Sequence, residues 1–542
     1  MSSIVEKILT GVVAFAAALC QEETNGLSKY GTLEAPKLPK FLDRGCGPPW
    51  DGMTTTNANP YTEISGPEEG TQVHMHGIRQ NGTPHMDGTP SVSSCPIAPN
   101  DTFTYKFRAD VYGTGWYHSH YSGQSAGGLV GPIVVYGPSS ADYDIDLGPV
   151  MLSEWYHEDY LTLIEGVVGT DPSRWHPLAD NNMINGKMDY DCTLVTDNTT
   201  CVSNAGLSKF KFTKGKTHRL RLINSGSASV QHFSIDDHEM TVIANDFVAI
   251  EPYQTNVVTL AAAQRADILV TANGDINGAY WMRSSIAQSE ACNWSNQPTA
   301  LAAIYYDDAN TDSKPNSTSP PSLAENSTCS NDPIEQTVPA YPIPADPNPS
   351  TTLNFEYSFL VNSTGHPVWT VNDIGFHGDY NQPVLELAAE NRATPQNLEP
   401  DWNVYDAGNN GTAVRVIMHN NSTISHPMHL HGHNAQILST GTGPWDGHTI
   451  VRPSNPARRD VYQLPPHGHL VIQYALDNPG VWPLHCHIAW HLSAGMFASL
   501  VERQPEIGAA VGAAGEAEMQ RVCRGWDAWT SRNVVDQIDS GV

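Results

Sequence analysis

His485-Cys486-His487, followed by His491 and Met496, gathers a thiol, imidazoles and a thioether into one short stretch, HCHIAWHLSAGM. One Cys, two His and a weak axial Met are the ligand set of a blue-copper electron-transfer site. Cys486, His491 and Met496 are therefore read as three of those ligands, with the second His supplied from elsewhere. On an extended strand successive side chains point to opposite faces. Cys486 then faces one metal while His485 and His487 face away from it, toward another centre. A peptide that joins two metal centres in this way predicts redox chemistry.

Three more clusters stand out: His74-Met75-His76-Gly77, Trp116-Tyr117-His118-Ser119-His120, and His426-Pro427-Met428-His429-Leu430-His431-Gly432. With the first they hold ten of the 23 His. A lone HxH carries little information, but two clusters toward each end of one chain form a multi-motif match. Imidazole suits copper, zinc, iron and nickel, and the Cys with two His and an axial Met selects copper. Zinc hydrolysis is disfavoured, since no water-activating acid sits beside a three-ligand site. The other His, among them His85, His157, His433 and His467, read as structural. His433, which extends the third cluster, reads as a support behind the ligands.

These clusters need rigid elements to bring them together. The chain has 542 residues, enough for three or four domains. Its 44 Gly and 39 Pro, with short apolar runs, fit an all-β protein rich in turns. Residues 48–138 carry the first two clusters and 147–310 carry none. In that middle part THRLRLIN and HEMTVIAND alternate, and they read as strands together with the run ADILVTA. Residues 311–350, rich in Pro, Ser, Thr and Asn, read as a surface linker. Residues 351–505 carry the last two clusters, and 506–542 form a tail with a helix over Glu506–Trp529.

A net charge of −29 describes a soluble chain that repels nucleic acid and anionic membranes. Lys7, the apolar run Ile8–Leu19 and Cys20 are too short to span a membrane and read as a signal peptide over residues 1–20, cut after Ala18 or Cys20, with Glu6 the one discordant residue. Sequons headed by Asn81, Asn100, Asn198, Asn293, Asn316, Asn326, Asn362, Asn410, Asn420 and Asn421 point the same way, to a secreted protein, although adjacent Asn420 and Asn421 cannot both serve. Setting Cys20 and Cys486 aside leaves Cys46, Cys95, Cys192, Cys201, Cys292, Cys329 and Cys523. Cys192–Cys201 is a plausible local bridge, and Cys292–Cys329 would close a loop across the Ser/Thr/Pro-rich segment.

The clusters, together with DGTPSVSSCPIAP (87–99), GTGWYHSHYSGQSAGGLVGP (113–132), HRLRLINSG (218–226), NPARRDV (455–461) and the closing DSGV, resemble the multicopper oxidases. The resemblance is to their ascomycete laccase-like branch, nearer the phenol oxidases of fungal secondary metabolism than the wood-degrading laccases, and runs from about Pro48 onward. It implies three cupredoxin-like β-sandwich domains, with the first and third packed together to share a trinuclear site. By the same resemblance His426, Cys486 and His491 hold a type 1 copper with Met496 axial. His74 and His429 hold the type 2 copper. His76, His118 and His487 hold one type 3 copper, and His120, His431 and His485 the other, giving four coppers per chain. The implied reaction is one-electron oxidation of phenols, entered at the edge of His491, coupled to four-electron reduction of O2 to water, by a secreted monomer. Asp246, in IANDFVAI, resembles the acid that takes the phenolic proton, and Glu154 is a second candidate. The closing DSGV implies a plug in the channel to the trinuclear site, and Cys95–Cys523 a tie from tail to first domain, which leaves Cys46 unpaired.

Three departures are visible. NPYTE (59–63) runs almost directly into SGPEEGTQVHMHG, so the first domain lacks the family's opening strands, and an open sheet edge and exposed core are expected there. Met75 stands where the family has Trp. Met496 stands where many ascomycete laccases have Leu, which implies a lower type 1 potential, because a thioether stabilises the oxidised metal. Two competing readings remain: an ascorbate or metal-ion oxidase of the same superfamily, and a degenerate copper-binding paralogue without turnover.

Overall fold

The computed structural model describes residues 69–542 apart from 197–199, 202, 204, 290–292, 319–328, 534 and 536. The signal segment, Cys20, Cys46, NPYTE, Asn198, Cys292 and Asn326 lie outside the described residues.

The middle part stacks a seven-stranded sheet on a five-stranded one. Alternation dictates this locally. In strand Thr217–Asn224, the predicted THRLRLIN, Leu220 and Leu222 enter the core between the sheets, where they meet Phe233, Ile235 and Met282. Arg219 and Arg221 point to the opposite face yet are also buried, because they pair with Asp267 and Asp146. The strand lies between Ile145–Trp155 and Arg265–Thr271, so both of its edges are hydrogen-bonded and both faces are covered.

The last part is a second sandwich, with sheets of six and five strands. Its core runs from Phe355, Val414 and Val416 to Leu484 and Leu500. The five-stranded sheet sets the register that matters for chemistry: His426–Leu430 pairs with Gly480–Cys486 so that Met428 stands opposite Cys486 and His429 opposite His485. The two faces of this pair therefore separate one set of ligands from the other.

The first part is described from residue 69 onward, so the expected lack of opening strands falls on residues outside the described ones. Among the described residues it holds one three-stranded sheet, made of Val73–His76, Gly113–Ser119 and Val130–Val135. Thr102–Phe107 keeps strand-like alternation, with Phe103 and Tyr105 buried and Thr102 and Thr104 turned outward, though only Lys106 within it is a β-bridge residue. The expected exposed core is not found. Phe103, Tyr105 and Met75 are buried, and the C-terminal helix packs Val522 and Trp526 against them. This helix spans Gln504–Thr530, is broken at Gly512 (φ 64°), and is tied to the first part by the disulfide Cys95–Cys523. Cys192–Cys201 is also formed, and Cys329 is disulfide-bonded. The linker lies on the surface where it is described, bridging Pro339 to Ile250 and Ala345 N–H to Pro453 O.

Candidate metal centre

Alternation along two short strands builds two ligand sets. His426 and Cys486 fall on the sandwich side with His491, which sits in the short helix Ala489–Ser493 that follows. His426 Nδ1 and His491 Nδ1 are 3.1 Å apart and lie 3.6 and 3.5 Å from Cys486 Sγ. A triangle with such edges has its centre about 2 Å from each atom, the length of a bond from metal to imidazole or thiolate. Ser422 Oγ, 2.9 Å from His426 Nε2, fixes the other side of that ring. Met496 is fully buried and held to the group through its backbone, accepting from Cys486 N–H and donating to His491 O. Burial pushes the Cys486 thiol up and holds His426 down to about 3. A dry thiol with no cation beside it stays protonated, whereas a soft metal ion would take it as thiolate. The donor set fits copper.

On the opposite face eight imidazoles converge, four from the first part and four from the last. His120, His431 and His485 aim their Nε2 atoms together, at 3.4 Å and 3.0 Å from the central His485. His76, His118 and His487 form a second group in which His76 Nδ1, His118 Nε2 and His487 Nε2 are buried with no partner among the described residues. His74 Nε2 and His429 Nε2 face each other at 3.5 Å. Burial, with neighbouring rings adding to it, holds the imidazoles of His76, His118, His120, His429, His431 and His487 well below the usual range, and His485 at about 4. Neutral rings with unpartnered nitrogens aimed at common points are the metal-ligating form. The imidazoles and the thiol expected to share a metal thus lie beside one another, whereas Met496 meets its set through backbone hydrogen bonds.

Two carboxylates complete the site, and the sequence reading missed both. Asp87 accepts from His431 Nδ1 through Oδ2 (2.9 Å) and from His74 Nδ1 through its backbone oxygen (2.7 Å). Asp460 repeats the pattern from the other side, with Oδ1 at 3.2 Å from His76 Nε2 and its backbone oxygen at 2.9 Å from His429 Nδ1. Such partners fix ring orientation and leave the far nitrogen for the metal. Both lie in stretches that carried the family resemblance, but nothing in a lone Asp signals the role.

Three models of the multicopper oxidase family match residues 65–140, 146–309 and 376–506. Laccase-2 of Botryotinia fuckeliana is 36% identical over 87% of this chain and 79% of its own length. Dihydrogeodin oxidase of Aspergillus terreus is 34% identical over 87% and 82%. The chain belongs to the multicopper oxidase family. The crystal structure of a laccase from Botrytis aclada superposes with a TM-score of 0.80 at 35% identity, covering 88% of this chain and 85% of that one.

A multicopper oxidase needs a substrate site beside the electron-accepting ligands. A cavity of about 160 Å³ meets His491 and is walled by Pro177, Val230, Ile424, Trp294 and Trp490. The middle part supplies one side of it. A larger cavity, about 450 Å³, opens beside Tyr112, Tyr341 and Tyr474 but touches no residue of either ligand set.

Asp246, expected from the resemblance to take the phenolic proton, is placed away from the cavity at His491. It is 1% exposed, and its carboxylate accepts from Arg459 Nε (3.1 Å) and Nη2 (2.9 Å) and from the backbone of Arg265 (3.0 Å). Burial alone would raise this carboxyl, but the two guanidinium groups outweigh it and hold it below the usual range. A carboxylate so engaged has no access to a phenol; it ties the middle part to the last. Glu154 is likewise buried, and accepts from the backbone of Ala228 (2.5 Å) and Ser229 (3.2 Å). It shapes the wall of the cavity through Ala228 rather than reaching into it. His433 pairs with Glu502 at 2.8 Å, outside both ligand sets, as a structural residue would.

Proposed function

We propose that the chain is an extracellular laccase-like phenol oxidase, with four coppers per chain assigned as the resemblance implies, in three domains over about 48–138, 147–310 and 351–505. The observation that carries this reading is the strand end at Cys486: one residue in a Cys–His₂ set, its two neighbours in the imidazole set, and an apolar cavity at His491. When bound, copper supplies one-electron oxidation of the phenol and four-electron reduction of O2 to water. The chain's own residues do the rest. Apolar walls and two indoles bury an aromatic ring and orient it by edge or stacking contact. His491 lines the same cavity, so its edge meets the ring. Single peptide units join Cys486 to His485 and His487, giving the two ligand sets a continuous covalent path.

No carboxylate among the described residues lines that cavity. A metal cation as substrate would call for oxygen ligands, so phenol is favoured over Fe(II). Oxidative coupling of phenols in fungal secondary metabolism follows from the kinship with dihydrogeodin oxidase. Secretion as a monomer is part of the same reading. No helix among the described residues is long and apolar enough to cross a membrane. Asn81, Asn100, Asn316, Asn362, Asn410 and Asn421 are exposed, whereas Asn420 is buried, which favours Asn421 of the adjacent pair.

The deciding experiment is copper-loaded expression with metal analysis, visible absorption, and steady-state rates on a phenol, ascorbate and Fe(II). Four coppers, blue colour and preferred phenol turnover are expected. About one copper would mean that the type 1 set alone is occupied, and four coppers without phenol turnover would refute the phenol reading. Met496→Leu is expected to raise the type 1 potential while keeping the blue colour, read by redox titration. An unchanged potential would remove Met496 from the residues that would hold this copper.

The tail supports a plug. Val542 is fully buried and lines a void of about 20 Å³ with His118, His120, His485 and His487, room for about one water. Asp539 anchors it by accepting from Ser122 Oγ at 2.7 Å. Deleting residues 539–542 is expected to speed copper loss to a chelator and to change the KM for O2. Both staying at the full-length values would leave the tail without this role.

A further inference from the structure

The middle part gives no ligand to either set, yet one of its side chains reaches the back of a ligand. Arg265, at the start of strand Arg265–Thr271, is fully buried. Its Nη1 and Nη2 donate to Asp460 Oδ1 (2.5 Å) and Oδ2 (2.6 Å), and its Nε donates to Thr114 O (3.1 Å). Asp460 Oδ1 lies 3.2 Å from His76 Nε2, while His76 Nδ1 is the nitrogen left without a partner among the described residues. We propose that Arg265 is a positioning residue for the trinuclear site: its guanidinium locks the Asp460 carboxylate, which orients the His76 ring so that Nδ1 faces the metal. The relay joins the middle part (Arg265), the last part (Asp460) and the first (Thr114, His76), and it rests on the reading that these imidazoles hold copper.

Three observations converge on it. A guanidinium fork on a carboxylate is rigid in plane and distance, which a single hydrogen bond is not. Gly77, directly after His76, has φ +87°, and a Cβ there would stand 2.4 Å from Arg265 Nη2 and 2.8 Å from Asp460 Oδ2. The glycine of HMHG therefore makes room for the ion pair as well as for the turn. Lastly, His76 ends a four-residue strand that, among the described residues, pairs on one side only, with Gly113–Ser119, so the contact from Asp460 adds a hold from outside its sheet. Asp87, the matching carboxylate on the other side, is held by Thr89 Oγ1 instead, so among the described residues the His76 side alone draws on a cation from the middle part.

The test uses the full-length, copper-loaded chain with Arg265→Lys, Asp460→Asn and the double variant Arg265→Met/Asp460→Asn. On the folded fraction from gel filtration one measures copper per chain, visible type 1 absorption, near-ultraviolet absorption of the coupled type 3 pair, and copper retention against a chelator. Arg265→Lys keeps a charge but loses the fork. It is expected to keep type 1 absorption and to lose trinuclear copper about 10- to 100-fold more readily, the usual cost of disturbing a ligand's supporting partner. Asp460→Asn should match it. The double variant removes both charges together and so folds where one unpaired buried charge would not. It should be no worse than Asp460→Asn, because Arg265 acts through Asp460. Trinuclear copper held as in the unaltered chain, in Arg265→Lys and in the double variant, would overturn the proposal. So would type 1 absorption falling in parallel, which marks general unfolding. An unaltered chain that holds no trinuclear copper would overturn the copper reading itself, and the relay with it.

Discussion

Replacing Cys486 by Ser is expected to abolish the visible type 1 absorption and to lower phenol turnover by more than about 100-fold, the upper end of what disturbing a ligand's partners costs. The physical reason is twofold. A hydroxyl is a hard donor and does not replace thiolate in a site selected by softness. The peptide from Cys486 to His485 and His487 also loses the atom through which the two ligand sets are joined, although the imidazole set itself is untouched. Metal analysis of the variant should show about one copper fewer per chain, with the near-ultraviolet signal of the coupled pair retained. Blue colour surviving in Cys486→Ser, or turnover within tenfold of the unaltered chain, would end the assignment.

Asp246→Asn is expected to act on stability rather than on proton transfer. The carboxylate neutralises Arg459 and Arg265 in a site from which water is excluded. Removing one member of such a buried group costs about 3–5 kcal/mol, because the partner charges remain unpaired. The readout is a lowered unfolding midpoint, with the pH profile of phenol turnover in the folded fraction unchanged. A shifted pH profile at constant stability would instead restore Asp246 as the proton acceptor. The linkage sign is that of a depressed carboxyl: its stabilising contribution is present above the ordinary carboxylate pKa and is lost as pH falls through the lowered folded-state value. Asp246→Asn should therefore flatten the acid limb of the stability curve.

Ligand identity was legible because it depends on residue type and on the parity of position along a strand. Cys486 between His485 and His487, and His426 three before His429, put their side chains on known faces wherever the strands lie. The short spacing between NPYTE and HMHG is likewise a property of the sequence alone. What replaced the expected exposed core was not legible: Val522 and Trp526 lie more than four hundred residues away in sequence, and only packing brings them to Phe103 and Tyr105. The surroundings of Asp246 were not legible for the opposite reason. Its local sequence says only that an acid follows a strand, and whether it meets substrate or two guanidinium groups depends on which elements pack against it.

The sequence by itself determined the chemistry: the metal-binding donors, their division into a Cys–His₂ set and an imidazole set, and the all-β framework of alternating strands. These follow from side-chain chemistry and a period of two, which are local properties. Tertiary structure alone decided which groups stand behind the ligands. Asp87, Asp460 and Arg265 act by contacts between residues as much as 384 positions apart, as from His76 to Asp460. A buried charge has no meaning until its partner is in place, and the partner is chosen by how the sheets pack.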